Sequence, residues 1–284
     1  NFIPLHPRNP PFYHRNDLFF EKFYWIKPLK HQKKVRIKTI LVSQPKPKSE
    51  ASPYFDLAEK HDLQIDFRPF IKVEGVGAKE VRGQKVNFED FTGVIFTSKV
   101  AADHFFRVAE LIRYEIPDSL KYFCISEAIA LYLQKYVVYR KRKIFHGKQN
   151  IVDLAEVMKK HKNEKFLLPC TDILRDRIPN TLEKYNLNFS KVVLYRTVAA
   201  DLSDLTDVKY DMLVFYSPGG IESLLKNFPD FKQNNTCIAA FGATTAQAAL
   251  KNKLRLDLHA PQPNAPSMVG GIDLFIKNSI SKSA

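Results

Sequence analysis

The chain has 284 residues, 45% hydrophobic and 26% charged, a balance that suits packed cores and excludes a disordered composition. No apolar run approaches the ~18 residues that a bilayer-crossing helix needs, and no secretory h-region or cleavage site opens the chain, so no membrane partner and a cytoplasmic address are expected. The net charge of +14 favours an anionic partner (nucleic acid, anionic lipid or a small polyanion) without choosing among them.

Residues 1–34 carry Pro4, Pro7, Pro10, Pro11 and Pro28 among aromatic and basic residues. Prolines at that density forbid a long helix or a central strand, so an irregular tail is expected there. Thr39 to Val42 is a short β-branched run of the buried-strand type. Ser52-Pro53 then opens a helix, with serine as N-cap and proline preorganised at the first helical position. The helix runs to about Lys60, and a second strand runs from Leu63 to Phe67.

Two similar passages follow. In the first, Val94 to Phe96 leads through Thr97-Ser98 into a helix with Val100, Phe105, Val108 and Leu111. Tyr122 to Ile125 then leads through Ser126 into a helix reaching Leu131. The second runs from Leu213-Val214-Phe215-Tyr216 through Ser217-Pro218 to a helix reaching Leu224. A strand from Cys237 to Phe241 then turns at Gly242 into a helix over about Thr245 to Leu250. Ser98 and Ser217 lie 119 positions apart, and Cys124 and Ala240 lie 116 apart, so an internal duplication is expected. After the first passage come a helix near Ile151 to Lys160, a strand Lys165 to Leu168, a helix near Ile173 to Tyr185 and a strand Phe189 to Leu194. The second passage lacks such a pair downstream, and the β-α-β unit over 39–67 supplies it from the front.

The expected fold is therefore α/β: two similar parallel-sheet domains, one inserted in the other. Residues 35–70 plus 207–279 form the discontinuous domain and 88–192 the inserted one, with crossings at 71–87 and 193–206.

In an open parallel sheet, ligands bind beyond the carboxyl ends of the strands. The candidate positions are Ser43, Thr97, Ser98, Ser126, Cys170, Ser217 and Gly242 to Thr245. Most are small or hydroxylated and stand where a helix begins, with unpaired N–H groups that attract anions. The same residues also serve as ordinary caps, and Thr244 with Gln247 fits a capping box. Cys124 and Cys237 fall in apolar strands, and the odd count of widely spaced cysteines suggests neither a disulfide framework nor zinc. The histidines show no ligand spacing, and no metal is expected. Phosphate-loop, dinucleotide and nucleophile-elbow motifs are absent.

Several ordered segments resemble uroporphyrinogen-III synthases, especially the form found in Bacteroidetes. They are Ile40-Leu41-Val42-Ser43-Gln44-Pro45, Val94-Ile95-Phe96-Thr97-Ser98, Leu194-Tyr195-Arg196-Thr197, Phe215-Tyr216-Ser217-Pro218-Gly219-Gly220, Phe241-Gly242-Ala243-Thr244-Thr245-Ala246 and Ala265-Pro266-Ser267-Met268. The resemblance implies two α/β domains joined by a two-stranded link. It implies hydroxymethylbilane, a flexible polycarboxylate, as substrate, and no cofactor. Loss of the terminal hydroxyl would give an azafulvene that closes through a spiro intermediate, inverting ring D. Tyr195 matches the family tyrosine that assists departure of the hydroxyl. Thr97, Ser98, Ser217 and Thr244, or Thr245 in its place, match turns that contact substrate carboxylates. Arg175 matches a basic position.

Two departures remove a hydroxyl. Ile129 stands where the family often has threonine, and Gly219 where it often reads Ser-Pro-Ser-Gly. A monomer is expected. Two other classes stay open: an anionic-ligand-binding or sensor protein without turnover, and a nucleic-acid binder. For the second, the run Arg140 to Lys143 is basic, but no aromatic-basic interleaving or recognised nucleic-acid motif accompanies it.

Overall fold

The computed structural model describes residues 36–174, 176–205 and 209–281. The expected tail over 1–34, Arg175 and the domain boundary at 207 lie outside the described residues.

The chain enters through β1 (Thr39–Val42), α1 (Pro53–His61), β2 (Gln64–Phe67), β3 (Ile71–Gly75) and α2 (Ala78–Gly83). It continues through β4 (Gly93–Phe96), α3 (Lys99–Ile112), β5 (Lys121–Cys124), α4 (Glu127–Tyr132), β6 (Ile144–His146) and α5 (Ile151–Met158). Then come β7 (Phe166–Thr171), α6 (Arg177–Lys184), β8 (Phe189–Ala199), β9 (Met212–Phe215) and α7 (Pro218–Asn227). The last elements are β10 (Cys237–Phe241), α8 (Ala243–Lys251), β11 (Leu258–Ala260) and α9 (Met268–Ser281).

The helices begin where the hydroxyl turns place them. The Ser98 hydroxyl accepts from the Ala101 N–H at 3.0 Å, and the Ser217 hydroxyl from the Gly220 N–H at 3.3 Å. Each bond satisfies one donor that the first helical turn leaves open. Along α3, Ala101, Ala102, Phe105, Val108 and Ala109 recur at helical spacing and bury one face.

One sheet has the order β11-β10-β9-β1-β2, and the other β3-β8-β7-β4-β5-β6. Leaving β3 aside, β2-β1-β9-β10-β11 and β8-β7-β4-β5-β6 have the same sequence of roles, with the chain permuted. This is the internal duplication in three dimensions. All the pairs in these two series are parallel, whereas β3 joins β8 antiparallel, so the second sheet is mixed rather than purely parallel. The cause is the length of β8. Its first part pairs with β7 and its last part, from Tyr195 on, pairs with β3.

Both faces of the parallel part of each sheet are covered, which is why its central strands read as continuous apolar runs. Val94 and Phe96 point into one core and Ile95 into another. Ile40 and Val42 are likewise separated from Leu41. The three cysteines are buried and free, and burial pushes the thiols of Cys124 and Cys237 up to about 12.

The structure corrects several sequence boundaries. Strand β7 continues to Thr171, so Cys170 lies inside it, 3% exposed, rather than in the following turn. Helix α6 starts at Arg177 rather than Ile173, so that Pro179 falls in its first turn, where a missing N–H is tolerated. Helix α8 is capped by Gly242, at φ 84, with no side-chain bond, so Thr244 is a helical residue and not a box-forming cap. Strands β3, β6 and β11 and helices α2 and α9 are additions. No described helix is long and apolar enough to cross a membrane.

Candidate active site

The pairing of β3 with β8 builds a floor. Its register sets Ile71 against Ala199, Val73 against Thr197 and Gly75 against Tyr195. Alternate residues of a strand, and directly opposed residues of a pair, share one face of the ribbon. Ile71, Val73, Tyr195, Thr197 and Ala199 therefore lie on the same side, with Gly75.

What stands over that side is fixed by contacts at its two ends. A Cβ built on Gly219, in the first turn of α7, would meet Cγ2 of Ile71 at 3.4 Å. A Cβ built on Gly75 would fall 2.5 Å from Cζ of Arg107, on α3. The start of α7 and the body of α3 thus rise from opposite ends of one strand face. At ~3.4 Å per residue the ends are about 14 Å apart. Val73, midway, is 47% exposed, an apolar side chain left uncovered between the two helices.

Tyr195 occupies the α3 end. Its phenol interacts with the Ser98 hydroxyl, and the His104 ring stacks on it at 5.0 Å between centroids and 17° between planes. Burial raises the phenol's pKa above its ordinary value, and the nearby Ser98 hydroxyl only partly opposes the rise. Tyr195 therefore stays protonated at neutral pH, able to donate. Arg107 donates from Nε to Nδ1 of His104 at 3.1 Å, and from Nη2 to the carbonyls of Val76 at 2.8 Å and Leu194 at 3.2 Å.

At the α7 end, Ser43, Ser217 and Gly220 converge. A Cβ on Gly220 would sit 3.5 Å from the Ser43 hydroxyl and 3.8 Å from that of Ser217. The backbone N–H of Ser43 is held by Val214 at 2.9 Å. Beside them the phenols of Tyr54 and Tyr216 meet at 2.6 Å. Burial pushes both tyrosines above their ordinary values, and the bond from Tyr54 opposes the rise at Tyr216.

The remaining candidates are spread along the same strand ends. Thr97 is half-buried before the cap of α3, and Ser126 begins α4 without making a side-chain cap bond. Thr244 is exposed in the first turn of α8, while Thr245 is buried. Ile129 is buried in α4, where a threonine hydroxyl would enter the core. Among the described residues no group of three or more His, Cys, Asp or Glu could hold a metal. Sequence reading missed Val73, His104, Arg107, Thr197 and the Tyr54–Tyr216 pair. The available signal was the alternation Tyr195-x-Thr197-x-Ala199, which continues the strand that was ended at Leu194.

The family model described as Uroporphyrinogen-III synthase HemD matches residues 52–270. Comparison with curated protein sequences gives no significant match. Among solved structures, the uroporphyrinogen-III synthetase of Helicobacter pylori 26695 is similar with a TM-score of 0.53 and 16% identity, covering 85% of this chain and 100% of that one. A mutant uroporphyrinogen III synthase of Thermus thermophilus aligns with a TM-score of 0.46 and 14% identity, over 85% of this chain and 99% of that one. The Helicobacter structure speaks for the two-domain α/β fold, and the family assignment rests on the family model. Spanning most of the chain, including both helix starts that flank the floor, that match places the chain in the uroporphyrinogen-III synthase family.

Proposed function

We propose that the floor formed by β3 and β8, with α3 and α7 as its walls, is where this lyase holds hydroxymethylbilane during closure to uroporphyrinogen III. The observation that carries the proposal is one strand face with the Tyr195 phenol and the capped start of α3 at one end and the capped start of α7 at the other. Tyr195 supplies the proton donor. The open N–H groups at the starts of α3, α7 and α8, with the hydroxyls of Ser43, Thr97, Ser98, Ser126, Ser217, Thr244 and Thr245, receive substrate carboxylates. Gly219 contributes its backbone N–H, and the missing hydroxyls at Gly219 and Ile129 leave those two places to backbone contacts alone.

The step assigned to Tyr195 is departure of the terminal hydroxyl. The carbon–oxygen bond breaks, the oxygen leaves as water with the Tyr195 proton, the protonated azafulvene that remains closes through the spiro intermediate, and the proton released as the ring D pyrrole re-forms restores the phenol. Protonating the leaving oxygen typically contributes ~100-fold or more. The rest of the rate comes from orientation: a flexible chain held in one geometry gains most from positioned ends. The two sheets serve as two domains on either side of the link. In this reading the enzyme works as a cytoplasmic monomer without a nucleic-acid partner; the mass on gel filtration and the absence of duplex binding at low salt check it.

The test is to supply freshly made hydroxymethylbilane and measure type III against type I uroporphyrin after oxidation. Type III should dominate, and Tyr195→Phe should lower kcat by about 100-fold or more with the fold intact. Type I alone would sink the catalytic reading. Type III with unchanged kcat in Tyr195→Phe would remove Tyr195 from the mechanism.

A further inference from the structure

Outside the strand-end turns, one side-chain group that the proposed mechanism leaves unused is His104 with Arg107. We infer that His104 is a positioning residue: it holds the Tyr195 ring by stacking, and is itself held by Arg107 against the two-stranded link. The inference rests on the assignment of Tyr195 as proton donor and goes beyond it.

Three observations carry it. The stack is close to parallel, with centroids 5.0 Å apart, so the imidazole covers one face of the phenol ring. His104 cannot turn freely, because its Nδ1 accepts from Nε of Arg107 at 3.1 Å. Arg107 cannot turn freely either, because Nη2 also binds the carbonyls of Val76 and Leu194. Leu194 directly precedes Tyr195 on β8, so the same guanidinium fixes the backbone beside Tyr195 and the ring that stacks on it. The position of Gly75 fits this role: any side chain there would strike the guanidinium.

The arrangement also selects one form of the imidazole. With Nδ1 as acceptor, the ring is neutral and carries its proton on Nε2. Burial, then Arg107, lower the pKa of His104, and Asp103 on the same helix opposes them. Tyr195 is the titratable group facing it from β8. A charged imidazolium would instead present an N–H to the Arg107 N–H, and both donors would be left unpaired. Nε2 of His104 has no hydrogen-bond partner among the described residues, so the stack is the ring's main constraint on that side.

The experiment compares His104→Ala and His104→Phe, each with Tyr195 and with Tyr195→Phe, by kcat and KM for hydroxymethylbilane. A small misplacement of a reacting group costs about tenfold or more, so His104→Ala should lower kcat by about that factor with little change in KM. His104→Phe keeps a stacked ring and should recover most of the loss. In the Tyr195→Phe background His104→Ala should cost nothing further. Unchanged kcat in His104→Ala, no recovery in His104→Phe, or an equal loss without the Tyr195 hydroxyl would each overturn the inference while leaving Tyr195 in place. Full kcat in Tyr195→Phe alone would instead remove the assignment on which it rests. Nitrogen-15 NMR of labelled histidine in the wild-type protein gives a check independent of variant folding. His104 should show the Nε2–H tautomer at pH 7, and an Nδ1–H or doubly protonated ring would refute the clamp.

Discussion

Replacing Gly75 by alanine probes the clamp on the link without touching any hydroxyl. The new Cβ would lie 2.5 Å from Cζ, 2.6 Å from Nη2 and 2.8 Å from Nε of Arg107. Carbon atoms rest at ~3.5–4.0 Å, so the guanidinium must retreat by about 1 Å. That distance breaks the bonds to Val76 and Leu194, now 2.8 and 3.2 Å. Hydrogen bonds from a charged donor contribute about 1.5–3 kcal/mol each, and this half-buried pair belongs at the low end, about 3 kcal/mol together. Alanine recovers ~0.5–1 kcal/mol by restricting the unfolded chain. The net loss of about 2 kcal/mol corresponds to a fall of about 4–8 °C in Tm for a chain of this size. Gly83→Ala is the control, since nothing lies within 4 Å of its Cβ and the residue ends a helix. It should be neutral or slightly stabilising. Thermal melts of the two variants decide the matter. An unchanged or raised Tm in Gly75→Ala would show that Arg107 gives way freely and does not clamp the link.

At the other wall, Ser217→Ala removes the cap bond to Gly220 and should cost about 1 kcal/mol. Ser217→Asn keeps a side-chain oxygen at the cap and should cost only a few tenths, and a loss equal to that of Ser217→Ala in urea melts would show that the cap bond is not the cause. Away from the site, Asp273 on α9 accepts from Lys277, His61 and Lys60, which ties α9 to α1. Its carboxyl is held well below the usual range, first by Lys277 and then by His61, against a smaller cost of burial. A depressed carboxylate stabilises the fold above its unfolded pKa, ~3.9, and that stability is lost as pH falls through the folded value. Asp273→Asn should therefore lower stability at pH 7, and its difference from wild type should narrow below about pH 4; a pH-independent difference would contradict the linkage.

What the sequence disclosed was what local chemistry decides. Ser52-Pro53, Thr97-Ser98 and Ser217-Pro218 mark helix starts because a cap needs only its own turn. The apolar runs at Ile40, Val94, Leu213 and Ile238 mark strands covered on both faces. The duplication let the front of the chain be assigned to the sheet of β9, β10 and β11. The link was harder to see because β3 and the end of β8 past Tyr195 carry no continuous apolar run. In β3 only Ile71 and Val73 are apolar, both on the cleft side, and Lys72 and Glu74 face out. Strand β6 is Ile144–His146 and β11 is Leu258–Ala260, each too short to show alternation. His104 gave no sequence signal, since a half-buried histidine beside Phe105 and Phe106 looks like any flank of an amphipathic helix. Its meaning comes from Tyr195, which is distant in sequence and adjacent only once β8 is paired.

The floor belongs wholly to neither of the two duplicated sheets, and its anchors show how it relates to each. At one end Arg107 of α3 grips Val76 and Leu194. At the other, Asn227 of α7 donates to the Ala200 carbonyl at 2.9 Å and accepts from the Leu202 N–H at 3.1 Å. There Phe70 packs edge-on against Phe215 at 5.7 Å. Between these anchors Ile71 to Glu74 pair with Arg196 to Ala199, and Arg196 also pairs with Glu80 of α2. Tyr195 sits on the α3 side of that stretch, with its backbone, its ring and its hydroxyl all referred to α3. Ser43, Ser217 and Gly219 sit on the α7 side. A change in the angle of the link would thus alter the distance between the proposed proton donor and the proposed carboxylate-binding turns of α7 while leaving the surroundings of that donor intact. For a reaction that must fold a flexible tetrapyrrole end to end, that division puts the proposed proton donor on one wall and the proposed carboxylate-binding turns on both.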